Sequence, residues 1–440
     1  MKPHLLPVYL HEPDQPFQTQ LGHLHRLTGG LVDWLEPAHI DATPPAQTSA
    51  VVFPDLNGRA YGMVESFRRI DHPILLITSE FGTVSMWDWE IRDFLRRRGV
   101  TTIAPTSLGE CEDICRALST VDTLRRSSML AYQDDLGAGM QPDIFKRFYW
   151  WENECIADMQ KAFGVTIERR SFRELAARAA AVPGTRVDEE WARLSGNVPM
   201  VDVPECARAE ALRIYLALRD EVDEAGEVIA VGVNCLNESA TSPTTPCLAF
   251  NLLFEERGLL WGCEADITSM LTEVLVHRSL LTPVVMTNLY PFLMGEAALK
   301  HEKIPSFPDV DEPDNHILVA HSGYFGEVPQ SCASEWAMRP PVLQIVNPDA
   351  HAIDARLPEG PVTLVKVASD MDTLAVAPAA LTKYVQYEGS DCRNGAVLRV
   401  EDGHRFVEHL PSHHAVIAPG DLGRRLELMA SVTRLNVQYL

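Results

Sequence analysis

Apolar residues in the first third of the chain form short continuous runs separated by segments with helical spacing. The first 60 residues are only weakly periodic, but from Pro73 a buried-type run, PILLITSE, is followed by an amphipathic segment at residues 87–97. Gly99 ends that segment, and a second apolar run, VTTIAP, follows it. This order predicts strand, helix and parallel strand in one sheet. A helical segment at residues 112–124 completes the region, so we place a domain boundary near residue 125.

The same alternation continues through the middle of the chain. A strand, MLAYQ, is followed by the helix ENECIADMQKAFG, the strand VTIERR and the helix FRELAARAAA. A long helical stretch ends at Gly226, and the Val/Ile-rich run EVIAVGVNCLN has the composition of a strand covered on both faces. Residues 126–285 are therefore predicted as a second α/β domain.

The pattern changes near residue 286, where prolines cluster and short β-type runs recur. These runs are HILVAHS, VLQIVN, GPVTLVKVAS, TLAVAP, KYVQYEG, GAVLRVE and HHAVIAP. Short strands punctuated by turns predict an antiparallel barrel or sandwich for residues 286–440, with one helix at residues 422–435.

The most informative stretch is residues 258–291, GLLWGCEADITSMLTEVLVHRSLLTPVVMTNLYP. Its pattern predicts a strand, an acidic elbow with Glu264 and Asp266, a helix, and a strand that delivers Asn288. Carboxylates at the C-terminal end of a strand lie where α/β proteins bind ligands. The alternative is that both acids only stabilise the helix N-terminus through its dipole.

The composition limits which partners the protein can bind and in which cellular compartment we expect it. The net charge of −23 disfavours nucleic acid and anionic membranes, which attract basic surfaces. The start of the chain, MKPHLLPVYLHEPDQ, lacks the pattern of a secretory signal, and no apolar run is long enough for a membrane span. Nine dispersed cysteines indicate reduced thiols. We therefore expect a cytoplasmic protein with a small-molecule ligand.

Histidines in the last region supply candidate metal ligands. His321 lies in VAHSG at the end of one predicted strand, and His413 and His414 open another in PSHHAVIAPGD. Each alone has the alternative role of a hydrogen-bonded structural histidine. Together with Glu264 and Asp266 they form a set suited to a divalent ion such as Mn²⁺.

In their order and local sequence contexts, these residues resemble the metal-site residues of the L-fucose isomerase and L-arabinose isomerase superfamily. They are Glu264, Asn288, His321, His413 and His414. The resemblance extends over residues 229–440, including TPCLAFNLL and GPVTLVKV, and is only architectural before that. It implies two Rossmann-like α/β domains and a C-terminal antiparallel β-barrel. It also implies that Glu264, in GCEADI, is a metal ligand and the catalytic acid/base. By the same resemblance His321 and His414 are metal ligands and His413 contacts the sugar.

Asn288 departs from the superfamily pattern, which has a carboxylate at this position. The Asn288 amide oxygen can coordinate a hard metal and contact substrate, but it cannot accept a proton. Either Asp266 or another acid takes the second catalytic role, or Glu264 works with a metal-bound water.

The resemblance implies a metal-dependent aldose–ketose isomerase acting through a cis-enediol. The substrate would be a pentose, a 6-deoxyhexose or a modified hexose. The metal would be Mn²⁺, with Mg²⁺ and Co²⁺ as alternatives, and the chain would form homotrimers or homohexamers. Trp87 and the other tryptophans at 89, 150 and 151 are candidates for an apolar face against the sugar, or ordinary core residues.

Two other functions fit the same features. A sugar-binding or regulatory protein on this fold would bind carbohydrate without turning it over, because Asn288 replaces the second carboxylate. A periplasmic-type binding protein would account for two α/β domains, but the start of the chain and the C-terminal histidines disfavour it.

Overall fold

The computed structural model describes residues 2–134, 148–194, 196–234, 241–295, 299, 304, 306–321, 328–340, 350–386 and 394–440. The chain divides into two compact units. One comprises Met1–Thr123, Arg278–Leu281 and Arg424–Asn436, and the other comprises Leu124–His277, Thr282–Gly423 and Val437–Leu440. The predicted three-domain division at residues 125 and 285 stays a prediction, since a compact unit can contain more than one domain.

The helices of the described residues are α1 (Gln15–Thr28), α2 (Val64–Arg68), α3 (Asp88–Arg96), α4 (Leu108–Leu124), α5 (Asn153–Phe163), α6 (Phe172–Ala181), α7 (Gly184–Leu194), α8 (Glu205–Ala225), α9 (Cys247–Arg257), α10 (Ile267–Leu280), α11 (Gly403–His409) and α12 (Gly423–Thr433). The strands of the first unit are β1 (His4–Tyr9), β2 (Asp33–Trp34), β3 (Ala38–His39), β4 (Ala50–Phe53) and β5 (Ile74–Leu76). The remaining strands are β6 (Ser128–Tyr132), β7 (Thr166–Arg170), β8 (Val228–Val233), β9 (Leu260–Cys263), β10 (Val285–Pro291), β11 (His316–Ala320), β12 (Glu335–Arg339), β13 (Ala352–Arg356), β14 (Gly360–Val367), β15 (Thr373–Gln386), β16 (Asn394–Val400), β17 (His414–Pro419) and β18 (Asn436–Tyr439).

The first unit is built on a parallel sheet with the order β2-β1-β4-β5, and β3 also pairs with β1. The predicted strand VTTIAP contributes a single parallel bridge from Ile103 to Leu75 of β5. Strands β1 and β4 and helix α1 lie in the weakly periodic first 60 residues and were not predicted. Pro7 inside β1 obscures that strand, because proline normally argues against a central strand.

The second unit contains a parallel sheet with the order β7-β6-β8-β9. It also contains a closed antiparallel barrel, in which β14, β17, β10, β11, β16 and β15 follow one another and β15 pairs back with β14. One apolar core includes Trp261 of the sheet together with Leu289 and Ile417 of the barrel. The parallel α/β architecture and the antiparallel barrel are thus confirmed.

The predicted strand TLAVAP and the described part of KYVQYEG, residues 383–386, belong to the single strand β15, with an irregular register between Leu381 and Lys383. The predicted strand VLQIVN lies outside the described residues. Among the helices that the structure describes, none combines the length and apolar character needed to cross a membrane.

Two glycines set the close approach of helix α10 to the parallel sheet. A Cβ on Gly232 of β8 would lie 2.7 Å from Sδ of Met270, and one on Gly262 of β9 would lie 2.5 Å from its Cγ. Real Cβ atoms do not approach other atoms this closely. Met270 of α10 therefore occupies the space that side chains on these two strand positions would fill.

We expect Gly262→Ala to lower the free energy of unfolding by about 1–3 kcal/mol, because the new methyl group overpacks this contact. Urea denaturation of the whole protein measures the change. Gly184→Ala is the matched control, since a Cβ there meets nothing within 4 Å. Equal stability of the two variants would contradict this packing argument.

A buried histidine stabilises the start of helix α9. The Leu248 backbone N–H donates to Nε2 of His351 over 3.3 Å, and Nδ1 of His351 lies 2.9 Å from Oγ1 of Thr244. Because Nε2 accepts, the ring is neutral with its proton on Nδ1. Burial lowers the pKa of His351 from 6.5 to about 4.

This pKa predicts an acid-sensitive contribution to stability. The unfolded chain binds a proton at His351 near pH 6.5 and the folded chain only near 4, so the stabilisation is complete above pH 6.5 and is lost as the pH falls towards 4. The loss amounts to at most about 3 kcal/mol. We expect His351→Gln, which keeps an acceptor but does not titrate, to lose less stability than the wild type between pH 7 and 4.5. A histidine NMR titration of the wild type reads the pKa directly, and an ordinary value for His351 would contradict the prediction.

Candidate functional site

Glu264 lies on a strained elbow between β9 and α10. The φ angles of Glu264 and Ala265 are 55° and 51°, in the left-handed region that residues other than glycine rarely adopt. Nε1 of Trp151 donates to the Glu264 carbonyl oxygen over 2.8 Å. This hydrogen bond stabilises the backbone of the elbow. Strain of this kind persists where surrounding contacts fix it and is frequent at functional sites.

Asp266, two residues further on, caps helix α10. Its Oδ1 accepts from the backbone N–H groups of Thr268 and Ser269, each over 2.9 Å, and from Oγ1 of Thr268 over 2.7 Å. These contacts satisfy amides that would otherwise be unpaired in the first turn of the helix. The alternative role predicted for this acid, stabilising the helix N-terminus, is therefore part of what it does.

The other oxygen of Asp266 connects the helix to the barrel. Oδ2 accepts from Oγ of Ser269 and Nζ of Lys366, each over 2.8 Å, and from Nδ1 of His414 over 3.0 Å. Burial alone would raise the pKa of Asp266, but the Lys366 ammonium and the His414 hydrogen bond hold that pKa well below its usual range. Asp266 is thus a buried anion whose oxygens are already occupied.

Lys366 is the cationic partner of this carboxylate. It lies on β14, is 3% exposed, and also donates to Oγ of Ser269 over 2.6 Å. Burial lowers the pKa of Lys366, and the charge of Asp266 opposes that shift. A buried pair of this kind is satisfied only while both members are present.

His414 is fixed so that its second ring nitrogen faces Glu264. The imidazole is fully buried, and because a carboxylate only accepts hydrogen bonds, Nδ1 donates to Asp266 and Nε2 is the nitrogen that remains to face Glu264. Nε2 lies 3.8 Å from Oε2 of Glu264, beyond hydrogen-bond distance. Among the described residues this Nε2 has no hydrogen-bond partner. The pair leaves room for an atom between a carboxylate oxygen and an imidazole nitrogen.

Two further predicted residues lie beside His414 on the barrel strands. Asn288 on β10 is in register with His414 on β17 and with Ala320 on β11, and His321 follows Ala320 directly. The rings of His321 and His414 are 6.0 Å apart. Asn288 donates through Nδ2 to the Tyr290 hydroxyl over 3.2 Å, while its buried Oδ1 has no hydrogen-bond partner in the described part of the chain.

An aromatic wall borders this cluster. The Trp150 ring lies 5.1 Å from that of His414 and 5.7 Å from that of His413, and it stacks on Phe148 at 4.4 Å. Its buried Nε1 finds no hydrogen-bond partner among the residues described. Phe148 and Trp150 thus form an apolar aromatic surface that contains one N–H group, Nε1 of Trp150.

The donor atoms match a hard divalent ion in kind. Glu264 Oε2, His414 Nε2 and Asn288 Oδ1 are oxygen and nitrogen donors, and the last two have no hydrogen-bond partner within the described residues. Two ligands that are each about 2.1 Å from one ion lie up to about 4 Å apart. Within the described ranges, however, no group of three or more His, Cys, Asp and Glu side chains is arranged to hold a metal.

The predicted site residues of the second unit come together, although they are distant in sequence. They are Glu264, Asp266, Asn288, His321, His413 and His414. Trp87 belongs to the first unit, where its side chain is 71% exposed, and its role in sugar binding stays a prediction.

Sequence reasoning missed Lys366 and the specific role of Trp151. Lys366 could have been found from its position inside the apolar run VTLVKV, because a lysine in a buried strand requires a partner of opposite charge. The contact of Trp151 with a backbone carbonyl leaves no signal in the sequence.

Comparison with models of protein families found no match for the chain, and comparison with curated proteins found no relative.

The buried pair predicts a coupled loss of stability. We expect Lys366→Met to lower the free energy of unfolding by about 3–5 kcal/mol, because it leaves the Asp266 carboxylate buried without its cation. Adding Asp266→Asn should recover part of that loss, so the double variant should be more stable than the sum of the single changes predicts. Urea denaturation measures all three variants. Lys383→Met is the control, since Nζ of this lysine donates to the exposed carbonyl oxygen of Asp309. Additive losses would show that the two side chains are not coupled.

Proposed function

We propose that the protein is a metal-dependent aldose–ketose isomerase. The observation that carries this proposal is the 3.8 Å gap between Oε2 of Glu264 and Nε2 of His414, whose other nitrogen is fixed by Asp266. A carboxylate that orients a histidine in this way is the usual arrangement behind a metal-ligating imidazole. The proposal includes membership of the L-fucose isomerase and L-arabinose isomerase superfamily.

Glu264 and His414 would hold the ion, with Asn288 and His321 completing its protein ligands. When bound, a divalent ion supplies positive charge that stabilises developing negative charge on substrate oxygens. We favour Mn²⁺, with Mg²⁺ and Co²⁺ as alternatives, because the donor atoms are oxygen and nitrogen.

Glu264 is the group that moves the proton between C1 and C2 of the sugar. Isomerisation through a cis-enediol needs a base beside these carbons. Asn288 cannot accept a proton, and the oxygens of Asp266 are occupied by the helix cap, Lys366 and His414. We therefore assign Asp266 the role of a positioning residue, in place of the catalytic role expected from the sequence.

The proposed substrate is a monosaccharide, either a pentose, a 6-deoxyhexose or a modified hexose. The Trp150 ring lies beside those of His413 and His414, and stacking of its apolar face on sugar C–H groups suits an uncharged substrate. The proposal also includes two Rossmann-like domains, a cytoplasmic location and a trimeric or hexameric assembly.

A second candidate function is a sugar-binding or regulatory protein without turnover. The amide of Asn288, at the position where the superfamily has a carboxylate, favours it. The two functions share the site and differ only in chemistry.

The deciding experiment is proton NMR of the Mn²⁺-loaded protein with a panel of aldoses in D₂O. We expect deuterium at C2 of one aldose together with formation of its ketose. Glu264→Gln should abolish both, with a loss of at least about 100-fold, the contribution typical of a general base. Glu401→Gln, at an exposed carboxylate, is the matched control. Sugar binding without exchange or ketose would reject the isomerase and support the binding protein.

Asn288→Asp separates the two functions further. A carboxylate there adds a second proton acceptor beside His414 and a stronger metal ligand. In the binding-protein case we expect this variant to acquire the exchange that the wild type lacks. In the isomerase case the wild type is already active. Isothermal titration with Mn²⁺ and the same NMR assay check both expectations, and unchanged metal affinity would remove Asn288 from the proposed ligands.

A further inference from the structure

The site continues along the carboxyl edge of the parallel sheet. In the ladder of the second unit, Cys263 of β9 pairs with Val233 of β8, and Val233 pairs with Tyr132 of β6. The next residue on each strand is Glu264, Asn234 and Gln133. The pairing extends to this row, since Asn234 N–H donates to the Tyr132 carbonyl over 3.1 Å. Asn234 and Gln133 therefore lie side by side, one strand spacing of about 4.8 Å apart. Asn234 directly follows Val233, the partner of Cys263, and Cys263 directly precedes Glu264.

Both amides in this row are buried with an unsatisfied polar atom. Asn234 is 1% exposed and Gln133 is 8% exposed. Within the described part of the chain, Oδ1 of Asn234 and Nε2 of Gln133 have no hydrogen-bond partner. Buried polar atoms in native proteins are nearly always paired, so two adjacent exceptions beside a candidate catalytic residue call for a ligand.

The row ends beyond Gln133, where polar groups are satisfied. Ser171, the residue after β7, accepts from the Glu174 N–H as the cap of α6 and donates to Asp134. Asp134 also accepts from the Arg173 N–H. Among the described residues of this row, the atoms without a hydrogen-bond partner thus lie on Asn234 and Gln133.

The chemistry of the two atoms selects a neutral hydroxyl group. Asn234 offers an acceptor and Gln133 offers a donor, and a hydroxyl is the uncharged group that donates and accepts at once. Neither amide carries a charge to attract phosphate or carboxylate, and Asp134 next to Gln133 would repel both. The row suits a polyhydroxylated chain that extends away from Glu264.

We propose that Asn234 and Gln133 bind a hydroxyl group of the sugar beyond the two isomerised carbons and so select substrates by chain length. This inference rests on the proposed function, because Glu264 marks the reacting end. An unsatisfied amide pair is costly in the free protein and is compensated when the hydroxyl binds.

Alditols test the inference without turnover, since they cannot isomerise. Titration calorimetry of the Mn²⁺-loaded full chain with ribitol, xylitol, arabinitol and glycerol gives the affinities. For the tightest pentitol we expect Asn234→Leu and Gln133→Met each to weaken binding about tenfold, while glycerol, which lacks the distal hydroxyls, binds as to the wild type. Asn197→Leu, at an exposed asparagine of the same unit, should change neither.

Thermal unfolding of the same variants excludes a merely structural role. Replacing an unsatisfied buried amide by an apolar side chain of similar size should leave the melting temperature of the unliganded protein unchanged or raise it. A lower melting temperature with unchanged pentitol affinity would overturn the inference, as would wild-type protein that binds no pentitol more tightly than glycerol. If pentitol binding depends on both amides but no aldose is isomerised, the isomerase is rejected and the chain-length subsite stands.

Discussion

The buried carboxylate of Asp266 is the interaction on which the candidate site depends. One of its oxygens caps helix α10, and the other receives Lys366 of β14 and His414 of β17. Helix α10, which follows Glu264, and the barrel strands that carry Lys366 and His414 are thus connected through one buried carboxylate. The low dielectric of the interior strengthens each of these bonds while all partners are present, and makes the loss of any one expensive.

The local part of this arrangement could be predicted from the sequence, and the long-range part could not. The strand, elbow and helix around Glu264 follow from apolar spacing within about 20 residues, and the histidines from their positions at strand ends. The pairing of Lys366 with Asp266 joins residues 100 positions apart, and it exists because strand β14 lies against helix α10, where the Val367 N–H also donates to Oγ1 of Thr272. Spacing along one chain carries no information about which strands become neighbours.

The first 60 residues show the same limit on the scale of secondary structure. Strand β1 is buried along most of its length, yet Pro7 and the polar residues around it conceal the pattern. The strand forms because β2 and β4 pair with it on its two sides, which is tertiary context rather than local preference. The elbow is the opposite case, since Glu264 and Ala265 take backbone angles that their own side chains disfavour and the contacts of Trp151 and Asp266 impose them.

Closure of the barrel has a consequence for how the specificity of the proposed site could change over evolutionary time. His414 and Asn288 face each other across paired strands of a ring with no free end, so neither can shift without disturbing every other strand. Gln133 and Asn234, at the ends of β6 and β8, belong instead to a parallel sheet that is not closed into a ring. We therefore expect substitutions that change the specificity of the proposed site to be tolerated more readily at the strand ends of the sheet than on the paired strands of the barrel.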